Sequence, residues 1–208
     1  MQTEAPDDPL DRQLIEATGN WEHSRWRGHV LWQNLLDLNV ISEYLFAQSP
    51  DVVVETGTWK GGSAIFLADM MRLSGRDSDV LTIDHNPRAM PAHPGVTYLA
   101  GRSSIDPQVV ADVAAHVRGR RAFVVLDSDH SGAHVLAELE AYASFVSPGD
   151  HVLVQDGNLY RSLGLSFEET PLWGIERFLA SSCDFEIDAA RSPFATTAHP
   201  CGWLRRIR

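Results

Sequence analysis

No apolar run in this sequence approaches the roughly 18 residues that span a bilayer, and the opening stretch MQTEAPDDPLD is acidic, without the apolar centre of an export signal. Cysteine is scarce. Cys183 and Cys201 alone make neither a disulfide framework nor a metal-ligand spacing, so reduced thiols in a soluble, cytoplasmic protein are expected. Basic residues are outnumbered 17 to 28, and a net charge of −11 argues against nucleic acid or an anionic membrane surface as partner. G-x-G-x-x-G is absent, as are the Lys-Ser/Thr of a P-loop and the G-x-S-x-G of serine hydrolases, which sets dinucleotide, nucleoside triphosphate and acyl-enzyme chemistry low. Repeats, low-complexity tracts and linkers are missing too. What remains is 208 residues, 44% hydrophobic and 22% charged, which suits one α/β domain over 1–208: a helical, tryptophan-rich cap segment over 1–50 and a core over 51–208.

The stretch that organises the rest is Val52 to Ser63, VVVETGTWKGGS. Three β-branched residues lead to Glu55, then to a turn with Gly57, Gly61 and Gly62, then to helical spacing from Ser63. Strand, glycine turn and helix make the first half of a βαβ unit. Glycines there let backbone approach a ligand, and a helix N-terminus offers free N–H groups. An acid at the strand tip adds a place for a cationic or donor group, so the turn suits a zwitterion better than a pyrophosphate.

Further strands are expected at Asp79–Asp84, Val96–Ala100, Ala122–Leu126 and Val152–Val154, with closing strands at Phe185–Ile187 and Gly202–Ile207. Helices are expected over Leu10–Thr18, over Leu35–Gln48 with Leu38, Ile41, Leu45 and Phe46 inward, from Asp106-Pro107 to about Arg118, over Ser131–Val146 and over Thr170–Ala180. Met1–Pro9 reads as a frayed tail and Leu159–Thr170 as a lid-length loop. Trp21, Trp26 and Trp32 either wall a pocket or cap the core. Cys183 and Cys201 are expected in the closing strands, away from the strand-tip crevice, which argues against a cysteine nucleophile.

Glu55, Asp84, Asp127 with Asp129, and Asp156 stand at the carboxyl ends of successive strands, where an open α/β sheet binds its ligands. Each alone could be a loop acid or a helix cap; four in register argue for a lined crevice. Asp84, ending the second strand, is placed to accept hydrogen bonds from a ribose diol. Asp127 and Asp156, from neighbouring strands, suit shared chelation of Mg²⁺. His130 is either a general base facing the same crevice or a helix cap bonded to Asp127 or Asp129. His134 reads as structural, and the other histidines have no ligand spacing.

The stretches RWRG (25–28), DVVVETGTWKGGSAIFLA (51–68), LTID (81–84), GRSSIDP (101–107), VVLDSDHSGAHVLAELEAYASFVSPGDHVLVQD (124–156) and GWLRRI (202–207) resemble the cephalosporin hydroxylase/rhamnosyl O-methyltransferase family, an S-adenosylmethionine-dependent group. The resemblance implies a doubly wound, mostly parallel seven-stranded sheet of the class I methyltransferase type, its last strand antiparallel. It carries cofactor binding to Glu55, Gly57, Thr58, Ser63, Asp84, Ser103, Ser104 and Asp127, and Mg²⁺ binding to Asp127, Gln155 and Asp156. Proton transfer falls to His130, beside Asp127. Gln155 stands where related metal-dependent enzymes carry Glu; its amide oxygen has no charge, so weaker metal binding is expected. The implied reaction is O-methylation of a sugar-bearing or polyketide-like natural product in secondary metabolism, by a protein whose N-terminal aromatics favour self-association. Two other readings stand beside it: a methyltransferase fold turned to hydroxylation, cyclisation or rearrangement, and a non-enzymatic partner of a neighbouring enzyme.

Overall fold

Val53 points into one hydrophobic layer while Val52 and Val54 point into the other. That alternation within a fully buried strand is what a two-sided α/β sheet requires. The computed structural model describes residues 23–157, 166–194 and 196–208. The tail and first helix expected over 1–18, Trp21 and most of the expected 159–170 loop lie outside the described residues.

In chain order the elements are a short hairpin, β1 (Arg25–Trp26) and β2 (His29–Val30), then α1 (Leu35–Gln48), β3 (Val52–Thr56), α2 (Gly62–Leu73), β4 (Val80–Asp84), β5 (Val96–Ala100), α3 (Pro107–Val117), β6 (Ala122–Leu126), α4 (Gly132–Tyr142), β7 (His151–Val154), α5 (Pro171–Ser181), β8 (Phe185–Ile187) and β9 (Trp203–Arg206). The large sheet has seven strands in the order β5-β4-β3-β6-β7-β9-β8. β3 to β7 are parallel, and β9 runs antiparallel to both β7 and β8. The chain winds outward from β3 to β5, then returns to place β6 against the other side of β3. The β3/β6 boundary is therefore the switch point, and a crevice opens beyond its carboxyl ends.

Helix limits follow local chemistry. The Asp106 side chain accepts the Gln108 N–H at 2.8 Å and Pro107 occupies the first turn of α3. The Asn34 side chain accepts the Leu36 N–H at the start of α1, and Ser49 ends that helix in the left-handed region. Leu38, Ile41 and Leu45 of α1 are buried as expected, but Phe46 is 48% exposed: it lies on the outer side of the helix. α4 stops at Tyr142 and tightens into a 3₁₀ turn over Ala143–Phe145, which still brings Val146 into the core.

The hairpin β1–β2 was not foreseen, and it matters most for the site. Asp69 of α2 accepts the Trp26 indole N–H at 2.8 Å, an Arg27 N–H at 3.2 Å and a contact from His93 Nε2 at 3.2 Å. Gly62, at the start of α2, meets the hairpin so closely that an added Cβ would lie 1.9 Å from the Val30 carbonyl oxygen. The hairpin is thus clamped to α2, and the chain after it, Leu31 to Gln33, runs along the carboxyl edge of the sheet.

Candidate active site

A cleft of about 810 Å³ opens at the switch point, within the size range of small-molecule sites. Its walls include Gly57, Thr58 and Ser63 after β3, Asp84 at the end of β4, Ser103 and Ser104 beyond β5, Asp127 and His130 beyond β6, and Asp156 beyond β7. Two residues assigned from the sequence do not line it. Glu55 is fully buried behind the wall, and Gln155 is buried with its side-chain oxygen free of any donor.

At one end, Asp84 is held by backbone: its carboxylate accepts the Trp59 N–H at 2.7 Å and the Asn86 N–H at 2.7 Å. Ser104 lies nearby, with its hydroxyl 3.1 Å from His134 Nε2, and its carbonyl accepts the Tyr142 hydroxyl at 2.5 Å. Glu55 Oε2 accepts the Thr82 hydroxyl at 2.6 Å, and Thr82 shares a second hydroxyl contact with Thr58 at 2.7 Å. Oε1 of Glu55 is buried and meets no donor. Burial pushes this carboxyl up to about 7, against the downward pull of the nearby Ser63 and Thr82 hydroxyls. A buried acid short of a donor, next to Ser63 at the start of α2, fits a ligand that brings an ammonium group.

The other end gathers charge. One ligand atom each from Asp127, His130 and Asp156 lie within 4.8 Å of one another, and His130 Nε2 is 3.5 Å from Asp156 Oδ2. Burial drives the Asp127 carboxyl well above the usual range, and Asp156, Glu55 and Glu138 push it further. Gln33 opposes this, donating Nε2 to Asp127 Oδ2 at 3.0 Å. Carboxylates forced together in a cleft in this way fit a divalent cation, whose charge would remove the repulsion. His130 does not cap α4. The N-cap is Ser131, whose N–H is taken by Asp129 Oδ1 at 2.9 Å, so the imidazole is left to face Asp156.

The glycines of the turn line the cleft and also let segments of the protein pack closely there. At Gly57 (φ +92°) an added Cβ would lie 1.9 Å from the Asp127 carbonyl oxygen; at Gly61 it would meet Pro91 at 2.6 Å. They let the protein's own segments close around the cleft while the turn keeps its backbone on the cleft wall. Cys183 and Cys201 are both free, precede β8 and β9 rather than lying in them, and line no part of the cleft.

Trp32 was expected either to wall a pocket or to cap the core, whereas Trp59 and Lys60 were not singled out as wall residues. Trp32 and Trp59 meet edge to face with ring centroids 4.6 Å apart at the cleft, both with left-handed backbone (φ +54° and +43°). Trp32 therefore walls the pocket, whereas Trp26 packs on Phe66 in the hairpin clamp. Lys60, the only lysine in the sequence, lies 4.2 Å over the Trp59 ring. A single lysine beside a pocket is a signal the sequence did hold. Gln33 carried none, because its partner is 94 residues away.

Among known proteins, the family described as rhamnosyl O-methyltransferase/CmcI matches residues 18–207. The rhamnosyl O-methyltransferase of Mycobacterium tuberculosis is 33% identical over 196 residues, covering 89% of this chain and 79% of that protein. That of Mycobacterium leprae is 30% identical over 195 residues, covering 89% and 84%. A solved structure of CmcI with Mg and SAM superposes with a TM-score of 0.70 at 22% identity, covering 100% of this chain and 89% of the other, a likeness of fold.

Proposed function

This chain belongs to the rhamnosyl O-methyltransferase/CmcI family, and from that premise we propose that it is an S-adenosylmethionine-dependent O-methyltransferase whose acceptor is a hydroxyl on a sugar-bearing natural product. The observation that carries this reading is the division of one cleft into two ends. Asp84, Ser103 and Ser104 lie at one, and Asp127, His130 and Asp156 at the other.

S-adenosylmethionine supplies a methyl group on a sulfonium, already activated for displacement. Asp84 accepts the ribose hydroxyls through oxygen lone pairs not used by the Trp59 and Asn86 amides. Ser103 and Ser104 flank the base, while Gly57, Thr58 and Ser63 bound the amino acid part and Glu55 balances its ammonium from behind the wall. The bound cofactor would supply its methyl group to the acceptor oxygen, the carbon–sulfur electron pair remaining on sulfur. The hydroxyl proton goes to His130, whose ring nitrogen faces the cleft. The protein's main contribution would be to align acceptor and methyl in line, an effect that can be worth about 7–11 kcal/mol.

Asp127 and Asp156 are the residues that would hold Mg²⁺; Gln155, expected as a third donor, has an unpartnered amide oxygen but would have to turn it from behind the wall toward the cleft to ligate. The cation would supply positive charge beside the acceptor hydroxyl and make it easier to deprotonate. His130 stands apart as proton acceptor, although it lies close enough to ligate. Trp32 and Trp59 offer an apolar platform at the mouth suited to the carbon face of a sugar.

The test is His130→Ala, following labelled methyl transfer to rhamnose-bearing glycosides together with Mg²⁺ titration. Loss of turnover by about 10²–10⁴-fold with Mg²⁺ affinity retained supports the base. Unchanged turnover removes His130 from the mechanism, and loss of Mg²⁺ binding makes it a ligand instead.

A further inference from the structure

Asp156 has left-handed backbone, φ +58°, two residues beyond β7. A non-glycine residue in that region costs about 1–2 kcal/mol unless its surroundings hold it there. The surroundings here are specific. The Asp156 N–H donates to His199 Nδ1 at 3.3 Å, from a histidine only 1% exposed. Because Nδ1 accepts, a neutral His199 carries its proton on Nε2. That nitrogen finds no hydrogen-bond partner and faces Asp37 Oδ2 at 3.7 Å.

Asp37 is itself buried, 4% exposed, in the first turn of α1. Its Oδ1 accepts the Thr197 hydroxyl at 2.7 Å and its Oδ2 accepts the Ala198 N–H at 2.7 Å. The His199 N–H donates back to the Thr197 hydroxyl at 3.0 Å, and the Gly202 N–H closes onto the His199 carbonyl at 2.9 Å. α1 therefore grips the segment before β9, and that segment offers one imidazole nitrogen to the backbone of Asp156. His199 does not itself line the cleft, and it meets the cluster of Asp127, His130 and Asp156 through the backbone N–H of Asp156.

We propose that His199, fixed by Asp37, is a positioning residue that holds the backbone of Asp156 in the conformation aiming its carboxylate at Asp127 and His130. The inference rests on the reading of Asp127 and Asp156 as the cation end of the cleft. An acceptor lost from behind Asp156 lets its peptide relax toward ordinary φ, and the carboxylate swings away from the cluster. S-adenosylhomocysteine, held at the opposite end by Asp84, Ser103 and Ser104, is unaffected.

The experiment compares His199→Asn with His199→Gln in the full chain. Asn places an amide oxygen near the position of Nδ1; Gln places one near Nε2 and leaves the Asp156 amide without an acceptor. Mg²⁺ and S-adenosylhomocysteine are titrated calorimetrically, and exchange of the Asp156 amide is followed by NMR. Expected are Mg²⁺ binding within about threefold of wild type for Asn and about 10–100-fold weaker for Gln. S-adenosylhomocysteine affinity should be unchanged in both, and Asp156 exchange faster in Gln alone. Equal Mg²⁺ affinities in the two variants, or parallel loss of S-adenosylhomocysteine, overturn the assignment. Should wild type bind no Mg²⁺, the cation reading falls, and the exchange rates still decide: faster in Gln alone supports the positioning role, and equal rates overturn it.

Discussion

Gln33 Nε2 lies 3.0 Å from Asp127 Oδ2, a hydrogen bond that favours the charged form of a carboxyl otherwise driven toward neutrality. Its place in the chain after the β1–β2 hairpin ties the N-terminal wall of the cleft to its most strained acid. Gln33→Leu removes the donor while keeping bulk. The expected result is Mg²⁺ affinity at neutral pH about 10–100-fold weaker, as for other residues that orient ligands from behind, with S-adenosylhomocysteine affinity kept. Calorimetric titration checks it; wild-type Mg²⁺ affinity in the variant would show that the bond supports nothing.

Gly57→Ala should be far more damaging than its size suggests. A Cβ would sit 1.9 Å from the Asp127 carbonyl oxygen, and that oxygen is backbone between β6 and α4, unable to yield cheaply. Gly119 is the control, since it has φ +72° but open space around its missing Cβ. Alanine there should cost about 1–2 kcal/mol, the left-handed penalty alone. Alanine at Gly57 should cost more than that and weaken S-adenosylhomocysteine binding at least tenfold. Urea unfolding and ligand titration of both variants decide, and equal losses would mean the close approach is not structural.

The strands and the acids that end them were legible for a physical reason. A parallel strand covered on both faces is an unbroken apolar run, so Asp84, Asp127 and Asp156 announce the carboxyl edge simply by ending or following such runs. Helix starts were legible where a cap spells them out, as at Asp106-Pro107. The hairpin was not, because two-residue strands such as Arg25–Trp26 and His29–Val30 have no room for a periodic pattern. Contacts between distant segments were equally silent: nothing local marks His199 as the acceptor for Asp156, 43 residues away. The glycine turn shows the remaining gap. The need for glycine was readable, but that protein segments also close in there depended on where Asp127 and Val30 came to rest.

Asp69 anchors the hairpin that carries the cleft wall. Burial opposes its charge, but donation from Trp26, His93 and Arg27 outweighs that and holds the carboxyl below its usual range. A group with a lowered folded-state pKa contributes stability at pH above its unfolded value of 3.8, and that contribution is lost as pH falls through the folded value. Asp69→Ala should lower stability at pH 7 by about 2 kcal/mol, the scale of hydrogen bonds to a charged group, and the gap to wild type should narrow as pH falls below 3.8. A gap that persists in acid would assign the loss to packing instead.

Glu55 should trade stability for function. Its carboxyl, raised to about 7 against 4.5 in the unfolded chain, binds protons more readily in the folded state. Between those values the folded protein holds the extra proton, so stability falls as pH rises from about 4.5, and above about pH 7 the cost is complete. The interval corresponds to roughly 3 kcal/mol. Glu55→Gln keeps shape and removes the charge, so the variant should be more stable than wild type at pH 8 and indistinguishable from it near pH 4. If the acid balances the ammonium of the bound amino acid moiety, the same substitution should weaken S-adenosylhomocysteine binding at pH 8 by about tenfold or more, a charged contact being worth about 1.5–3 kcal/mol. Wild type should release protons on binding near pH 7, and the variant fewer, which calorimetry in buffers of different ionisation enthalpy measures directly. A variant that is stabilised yet binds as tightly as wild type would make Glu55 a buried acid without a ligand. One that is destabilised at pH 8 would mean that its charge is already compensated within the protein.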